Sequence, residues 1–230
     1  MADVEPLDNP IWHALTGPQS AFSEGTGLAL RYEPDVAVFA ALPDDAGPDA
    51  WDALRDLVGP GGAAILARPE LDAPAGWDAK FRLGGFQMVA PAGFGDRAEP
   101  DRFLRLGLED VPEMLALVER TKPGPFAKRT IELGPYLGLR NDDDELVAMA
   151  GTRMRMAGYA ELSAVCTDES LRGQGIATAI METVASELRA NGEQPLLHVA
   201  EDNTTAIRLY KNLGFAQRSY FTFGLLQATA

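Results

Sequence analysis

The residues Arg172-Gly173-Gln174-Gly175-Ile176-Ala177 join a strand-like run, Glu161 to Thr167, to a long amphipathic pattern. Glycines at the start of a helix leave successive backbone N–H groups without an intrahelical acceptor, and the helix dipole adds partial positive charge there. Such an end receives a diphosphate, so the segment is expected to hold a nucleotide-like cofactor, with the preceding strand as the other wall of its groove. Two common phosphate loops do not fit. A G-x-x-x-x-G-K-[ST] loop needs a Lys near Gly175, and a G-x-G-x-x-G fingerprint would put its third glycine at Thr178. The spacing that is filled is [Q/R]-x-x-G-x-[G/A], by Arg172, Gly175 and Ala177.

A second block follows, Pro195 to Phe215, reading P-L-L-H-V-A-E-D-N-T-T-A-I-R-L-Y-K-N-L-G-F. An apolar strand, Leu196 to Ala200, meets Asn203, a favoured N-cap residue. Ala206, Ile207, Tyr210 and Leu213 then recur at helical spacing, and Gly214 is placed to end the helix in a left-handed cap. The glycine loop followed by this N-x-x-A-x-x-x-Y-x-x-x-G-F run resembles the GNAT acetyltransferase superfamily over roughly residues 101–227. The wording A-V-C-T before the glycines, with L-H-V and L-Y later, is most similar to the subgroup related to the C-terminal domain of glycine N-acyltransferases.

The resemblance implies an α/β (mixed α+β) GNAT fold with a central, mostly antiparallel twisted sheet. It implies acetyl-CoA as acyl donor and direct transfer to the primary amine of a small molecule or amino acid; with only His13 and His198, no metal is expected. By motif position, the backbone of Val165 and Thr167 holds the pantetheine arm. Arg172, Gly173, Gln174, Gly175, Ile176, Ala177 and Thr178 take the pyrophosphate, chiefly through main-chain N–H groups, and Asn203 supports the cofactor loop. A non-catalytic GNAT-fold protein that binds acyl-CoA for regulation is the alternative. An intact Tyr210 favours the enzyme, because a binder needs no proton donor at the sulfur.

Acyl transfer asks for a neutral amine, a donor for the oxyanion and a proton for the departing thiolate. Tyr210 lies two helical turns beyond Asn203, where the family's tyrosine approaches the cofactor sulfur. A phenol titrates near about 10 and so stays protonated, able to donate; the other reading is a core tyrosine. Glu161 opens its strand, and period-two alternation would set it on one face with Ser163, Val165 and Thr167. It is read either as a base, acting directly or through water, or as a strand-end carboxylate. His198 reads as packed and hydrogen-bonded before it reads as a base. Cys166 should face away from Val165 and is not expected to act as a nucleophile.

Composition bounds the rest. The chain has 230 residues, 46% hydrophobic and 23% charged, which is globular composition. The net charge is −14, concentrated in residues 1–100 with 6 basic and 16 acidic side chains. The cofactor half is less acidic, and Arg172 is expected to be helped there by Arg208 or Lys211. Nucleic acid is disfavoured as a partner, since that affinity comes largely from basic side chains against phosphate. No apolar run approaches a membrane span, and the M-A-D-V-E-P start is acidic, unlike a signal peptide. With one cysteine no internal disulfide forms, so a reducing cytoplasm is the expected setting. A homodimer is compatible with all of this. The N-D-D-D-E run at 141–145 lacks the spaced ligands and central Gly of a calcium loop and reads as a solvated turn.

The elements that must position these residues follow from pattern. The Pro- and Gly-rich segment 93–100 reads as a linker between an N-terminal domain, 1–92, and a GNAT acetyltransferase domain, 101–230. The first half reads as strands over 27–32 and 36–42, a helix from Pro48 to Gly59, and strands over 63–67 and 86–90. That order resembles a degenerate GNAT half without a glycine loop, a structural and substrate-shaping domain. In the second half a strand is expected over 103–108, a helix N-capped by Asp110, and a second helix and loop over 121–135. An antiparallel meander over 136–140, 146–156 and 159–167 follows.

Overall fold

Proline at the first turn and glycine past the last bracket the first long helix. The computed structural model describes residues 5–229; the M-A-D-V start and Ala230 lie outside the described residues. Helix α1, Pro10–Leu15, is a single short turn and a half that buries Ile11, Ala14 and Leu15, too short for its periodicity to register. Strands β1, Ser23–Thr26, β2, Ala29–Tyr32, and β3, Ala40–Ala41, form a three-stranded antiparallel sheet. The strand expected over 36–42 shrinks to β3, because Val36 N–H and Ala37 N–H bond back to Glu33 O and hold a turn. Helix α2, Pro48–Val58, packs through Ala50 and Leu54 and ends at Gly59, φ +77°. Strand β4 is Ala63–Arg68.

Strand β5, Trp77–Val89, is far longer than the 86–90 segment that its pattern marks. Its first half, D-A-K-F-R, is exposed, so no alternation betrays it; pairing with the last strand along its whole length forms it. Strand β6 covers only Leu104–Arg105. Asp110 stands at the N-cap position of helix α3, Val111–Thr121, as its pattern predicts, but its side chain makes no capping bond to the helix. A 3₁₀ turn over Leu108–Asp110 precedes it, and the Asp110 carboxylate instead accepts from Gly107 N–H at 2.8 Å and from Arg140 Nη2 at 2.7 Å. No second helix follows: Pro123 and Pro125 remove N–H donors, and only a 3₁₀ turn over Thr130–Leu133 forms.

The remaining elements are β7, Tyr136–Arg140; β8, Leu146–Met156; β9, Tyr159–Thr167; α4, Ile176–Ala190; β10, Gln194–Ala200; α5, Thr204–Asn212; and β11, Ala216–Ala228. The second sheet has eight strands in the order β4-β11-β5-β10-β9-β8-β7-β6, antiparallel throughout except β9 with β10. The architecture is therefore an α/β fold with a mostly antiparallel central sheet preceded by a smaller sheet. Strands β4 and β5, which precede residue 93, lie in one sheet with strands that follow residue 100. The segment between them lies along α4: Gly95 N–H donates to Glu182 Oε2 at 2.5 Å, and Arg189 Nη2 to Pro91 O at 2.7 Å. Helix α4 buries Ile180, Val184 and Leu188 against Ala148, Ala150, Ala160 and Leu162 of the sheet. On the opposite face the N-terminal segment packs Leu7, Ile11 and Phe39 against Met154, Met156 and Phe221. Among the described residues no helix is long and apolar enough to cross a membrane.

Candidate active site

The two parallel strands separate where the chemistry is expected. β9 and β10 pair only from Gln194 opposite Tyr159 to Leu196 opposite Glu161. Beyond Glu161 each strand continues without the other, leaving backbone groups on facing edges free. A cleft of about 820 Å³ opens there, lined by Glu161 to Thr167 on one side and Leu197 to Ala200 on the other.

A bulge in β9 re-aims its side chains. The register with β8 slips between Met149 and Gly151, and Ala164 takes φ +51°, a left-handed value uncommon for a residue with a Cβ. Before the bulge Ala160 and Leu162 pack toward α4; after it Val165 does, while Ala164 and Cys166 pack toward α3. The single face expected for Glu161, Ser163, Val165 and Thr167 is thus broken. Glu161 points away from α4, and Val165 points towards it. Strict alternation cannot survive an inserted residue.

On the α4 side the glycine loop is open. Gly173 and Gly175 both sit at φ +78°, and a Cβ built on either would meet no heavy atom within 4 Å. Among the described residues, none of the N–H groups of Gly173, Gln174, Gly175, Ile176, Ala177 and Thr178 donates to a protein acceptor. Arg172 lines the cleft with its Nε 3.5 Å from Thr167 O, and Ala177 lines it from the first turn of α4. Thr167 Oγ1 is buried at the wall without a partner. Orphaned amides, an orphaned hydroxyl and open space above the glycines suit a diphosphate with an attached chain. Ile176 offers only its amide, because its side chain is buried in the core. Asn203 caps α5 by accepting from Ala206 N–H at 3.1 Å, and it too lines the cleft. Arg208 and Lys211 are exposed on α5 and are not among the cleft-lining residues.

Tyr210 faces the same cleft from α5, its ring 5.7 Å from that of Phe215. Burial pushes its phenol up to about 12, so it carries its proton throughout the physiological range. Burial likewise pushes the Cys166 thiol up to about 11, which disfavours the thiolate a nucleophile would need.

The floor of the cleft is a polar ladder that crosses five adjacent strands. Arg153 of β8 grips Glu161 of β9 with two bonds, Nε to Oε2 at 2.9 Å and Nη2 to Oε1 at 2.7 Å. His198 Nδ1 of β10 lies 2.9 Å from Glu161 Oε1, and Gln87 Nε2 of β5 lies 3.1 Å from His198 Nε2. Gln87 Oε1 accepts from Arg218 of β11 at 3.0 Å. An amide nitrogen only donates, so His198 Nε2 is the acceptor and the ring proton sits on Nδ1, directed at Glu161. Glu161 is 1% exposed. Burial alone would raise its pKa, but the Arg153 charge and the His198 bond outweigh burial and bring it down to about 2. A base that accepts directly needs a free carboxylate oxygen of higher proton affinity; both oxygens here are engaged.

Of the expected site residues, the cleft brings together Glu161, Val165, Thr167, Arg172, Ala177, Asn203 and Tyr210. Gly173, Gln174, Gly175 and Thr178 stand beside it as the loop and first turn. Sequence reasoning missed Arg153 and Gln87. Arg153 sits opposite Glu161 at a second register shift in β8, between Thr152 and Arg155, and nothing in R-M-R-M marks which arginine turns inward.

Glu161 also sets an acid limit on stability. Its folded pKa lies below the ordinary value of 4.5, so the carboxylate stabilises the fold fully above that value. The contribution is lost as the pH falls through the folded value. Urea midpoints measured between about pH 6 and 2 should fall steeply for the native protein and less steeply for Glu161→Gln; parallel curves would show that Glu161 is not the group responsible.

Residues 136–222 match the family model described as FR47-like protein. A crystal structure of a GNAT-family protein from Novosphingobium aromaticivorans is 38% identical, covering 98% of this chain and 100% of that one with a TM-score of 0.88. A GCN5-related N-acetyltransferase from Kribbella flavida shares the fold, with a TM-score of 0.63 at 17% identity, covering 96% of this chain and 95% of that one. Mycothiol acetyltransferase of Brachybacterium faecium is 36% identical over 78 residues, 32% of this chain and 24% of that protein. The chain thus spans only about a quarter of that curated relative's length.

Proposed function

Because the chain belongs to the GNAT family of acetyltransferases, we propose that it transfers an acyl group, acetyl by preference, from acyl-CoA directly to the primary amine of a small molecule or amino acid. The observation that carries this reading is the convergence of two features on one cleft. Tyr210 lines the gap where β9 and β10 part, and the glycine loop with its unsatisfied amides adjoins it through Arg172 and Ala177.

In this reading the amides of residues 173–178 and Arg172 bind the diphosphate of CoA. The pantetheine arm then lies along the unpaired edge of β9 at Val165 and Thr167. Acyl-CoA supplies an activated thioester, and the chain supplies position and protons. The amine nitrogen attacks the carbonyl carbon, a C–N bond forms and the C–S bond breaks. Tyr210 gives its proton to the leaving sulfur and is reprotonated from solvent, while the proton released by the amine also passes to solvent. A backbone N–H on the edge of β9 that β10 leaves unpaired stabilises the oxyanion; one such donor typically contributes about 3–4 kcal/mol. Glu161, paired with Arg153 and bonded to His198, fixes the floor of the cleft rather than acting as the direct base.

Two experiments test the proposal. Acetyl-CoA with a panel of amino acids, monoamines, polyamines, aminoglycosides and peptides should release CoA with at least one of them; a protein that binds acetyl-CoA and transfers to none is a regulator instead. Gly175→Glu places a negative charge where the diphosphate sits. Like-charge contact costs several kcal/mol, so calorimetry should show acetyl-CoA affinity falling by about 100-fold or more. Gly175→Asn, which tolerates a left-handed backbone, controls for strain. Unchanged affinity in the Glu variant would rule out the loop as the diphosphate site.

A further inference from the structure

The cleft is lined from both faces of the sheet, and the face away from α4 has a different character. Ile65 of β4, Leu225 of β11 and Phe81 of β5 stand directly opposite one another across three strands. Phe223 and Leu83 form the next opposed pair. Phe39 completes the wall, with the Arg153 guanidinium 4.9 Å from the centre of its ring. The wall starts at the polar floor, where the Phe223 ring is 5.7 Å from that of His198. It ends at Phe81, which is 54% exposed. Isolated exposed apolar side chains are ordinary, but this one is the outer edge of a continuous apolar surface inside a cleft.

The charges on this face are already spent. Glu161 is gripped by Arg153 with two hydrogen bonds and by His198 with a third contact. The other carboxylate lining the cleft, Asp202, lies beyond the end of β10 in the turn that leads to α5. A polycation entering from this side would desolvate its extra charges against aromatic and aliphatic carbon, which is costly without partners. The net charge of −14 therefore does not extend into the acceptor pocket.

Resting on the acyltransferase reading above, we propose that the acceptor is a primary amine with an apolar aromatic or branched aliphatic body and no second positive charge. Its body packs on Phe39, Ile65, Phe81, Leu83, Phe223 and Leu225, and its nitrogen points toward the gap between β9 and β10.

The test compares ethylamine, longer alkylamines, phenethylamine and spermidine at saturating acetyl-CoA, with calorimetry of the same amines on the CoA-bound protein. Each added methylene should raise kcat/KM by about fourfold until the wall is covered. Phenethylamine should exceed spermidine by about 100-fold, the value of fully burying one large apolar side chain. Phe81→Asp, at an exposed position that the fold tolerates, should lower the phenethylamine-to-ethylamine ratio by about tenfold. Indifference to chain length, or spermidine as the better acceptor, overturns the apolar-acceptor proposal while leaving acyl transfer standing. Phenethylamine binding that depends on Phe81 but leads to no transfer upholds the wall and overturns the acyltransferase reading. No binding of any apolar amine overturns the wall.

Discussion

Tyr210→Phe lowers single-turnover acetyl transfer by about 10²–10⁴-fold, the usual contribution of a general acid. The substitution keeps the ring that packs beside Phe215 and removes only the hydroxyl. Acetyl-CoA affinity should change little, because in the proposed binding mode the diphosphate and pantetheine contacts come from the glycine loop and the β9 backbone. The phenol, pushed up to about 12, holds its proton at any pH where the assay is practical, so the native rate should show no alkaline limb from this group. The deficit should shrink with an acyl thioester of a more acidic thiol, which departs without help. A variant with native single-turnover rates would leave Tyr210 a packing residue only. A native protein that binds acetyl-CoA but transfers to nothing would support the regulatory alternative.

Arg153→Met costs about 3–5 kcal/mol of stability, the typical loss when one partner of a buried ion pair is removed. For a chain of this size that corresponds to a fall in Tm of about 6–20 °C. Glu161 would keep its burial and its His198 contact but lose the charge that holds it ionised. Its pKa in the folded state should then rise, and the sign of the pH dependence should change. The native carboxylate loses its stabilising effect as the pH falls toward 2. In the variant the buried charge is the burden, so its deficit relative to native should narrow once the pH drops below about 5. Thermal melts at several pH values read both effects. A deficit that is small, or independent of pH, would mean that the Arg153–Glu161 pair does not organise the floor of the cleft. The double variant Arg153→Met with Glu161→Leu should recover much of the loss, since apolar residues of similar volume often replace a buried pair without penalty.

The sequence by itself determined the glycine loop and the two ends of α5. Gly173, Gly175 and the N-cap Asn203 announce themselves because local chemistry needs those residue types at those positions: a left-handed backbone, open amides and a capping oxygen. Tyr210 was legible for the same reason, fixed relative to Asn203 by helical periodicity alone. Helices α2 and α5 and strands β7, β8 and β9 carried enough uninterrupted pattern to be bounded within a few residues. The tertiary structure decided the floor of the cleft and its face away from α4. The first half of β5 is exposed and becomes a strand only because β11 pairs with it. The bulge at Ala164 reverses which side chains of β9 share a face, and no residue type there signals it. Arg153 and Gln87 look like any surface arginine and glutamine until five strands bring them into line with Glu161 and His198. Helix caps and phosphate loops are short-range devices written in neighbouring residues. The polar ladder and the apolar wall are assembled across a sheet from residues far apart in the chain, Ile65 and its partner Leu225 by 160 positions. Only the pairing of distant strands makes them neighbours.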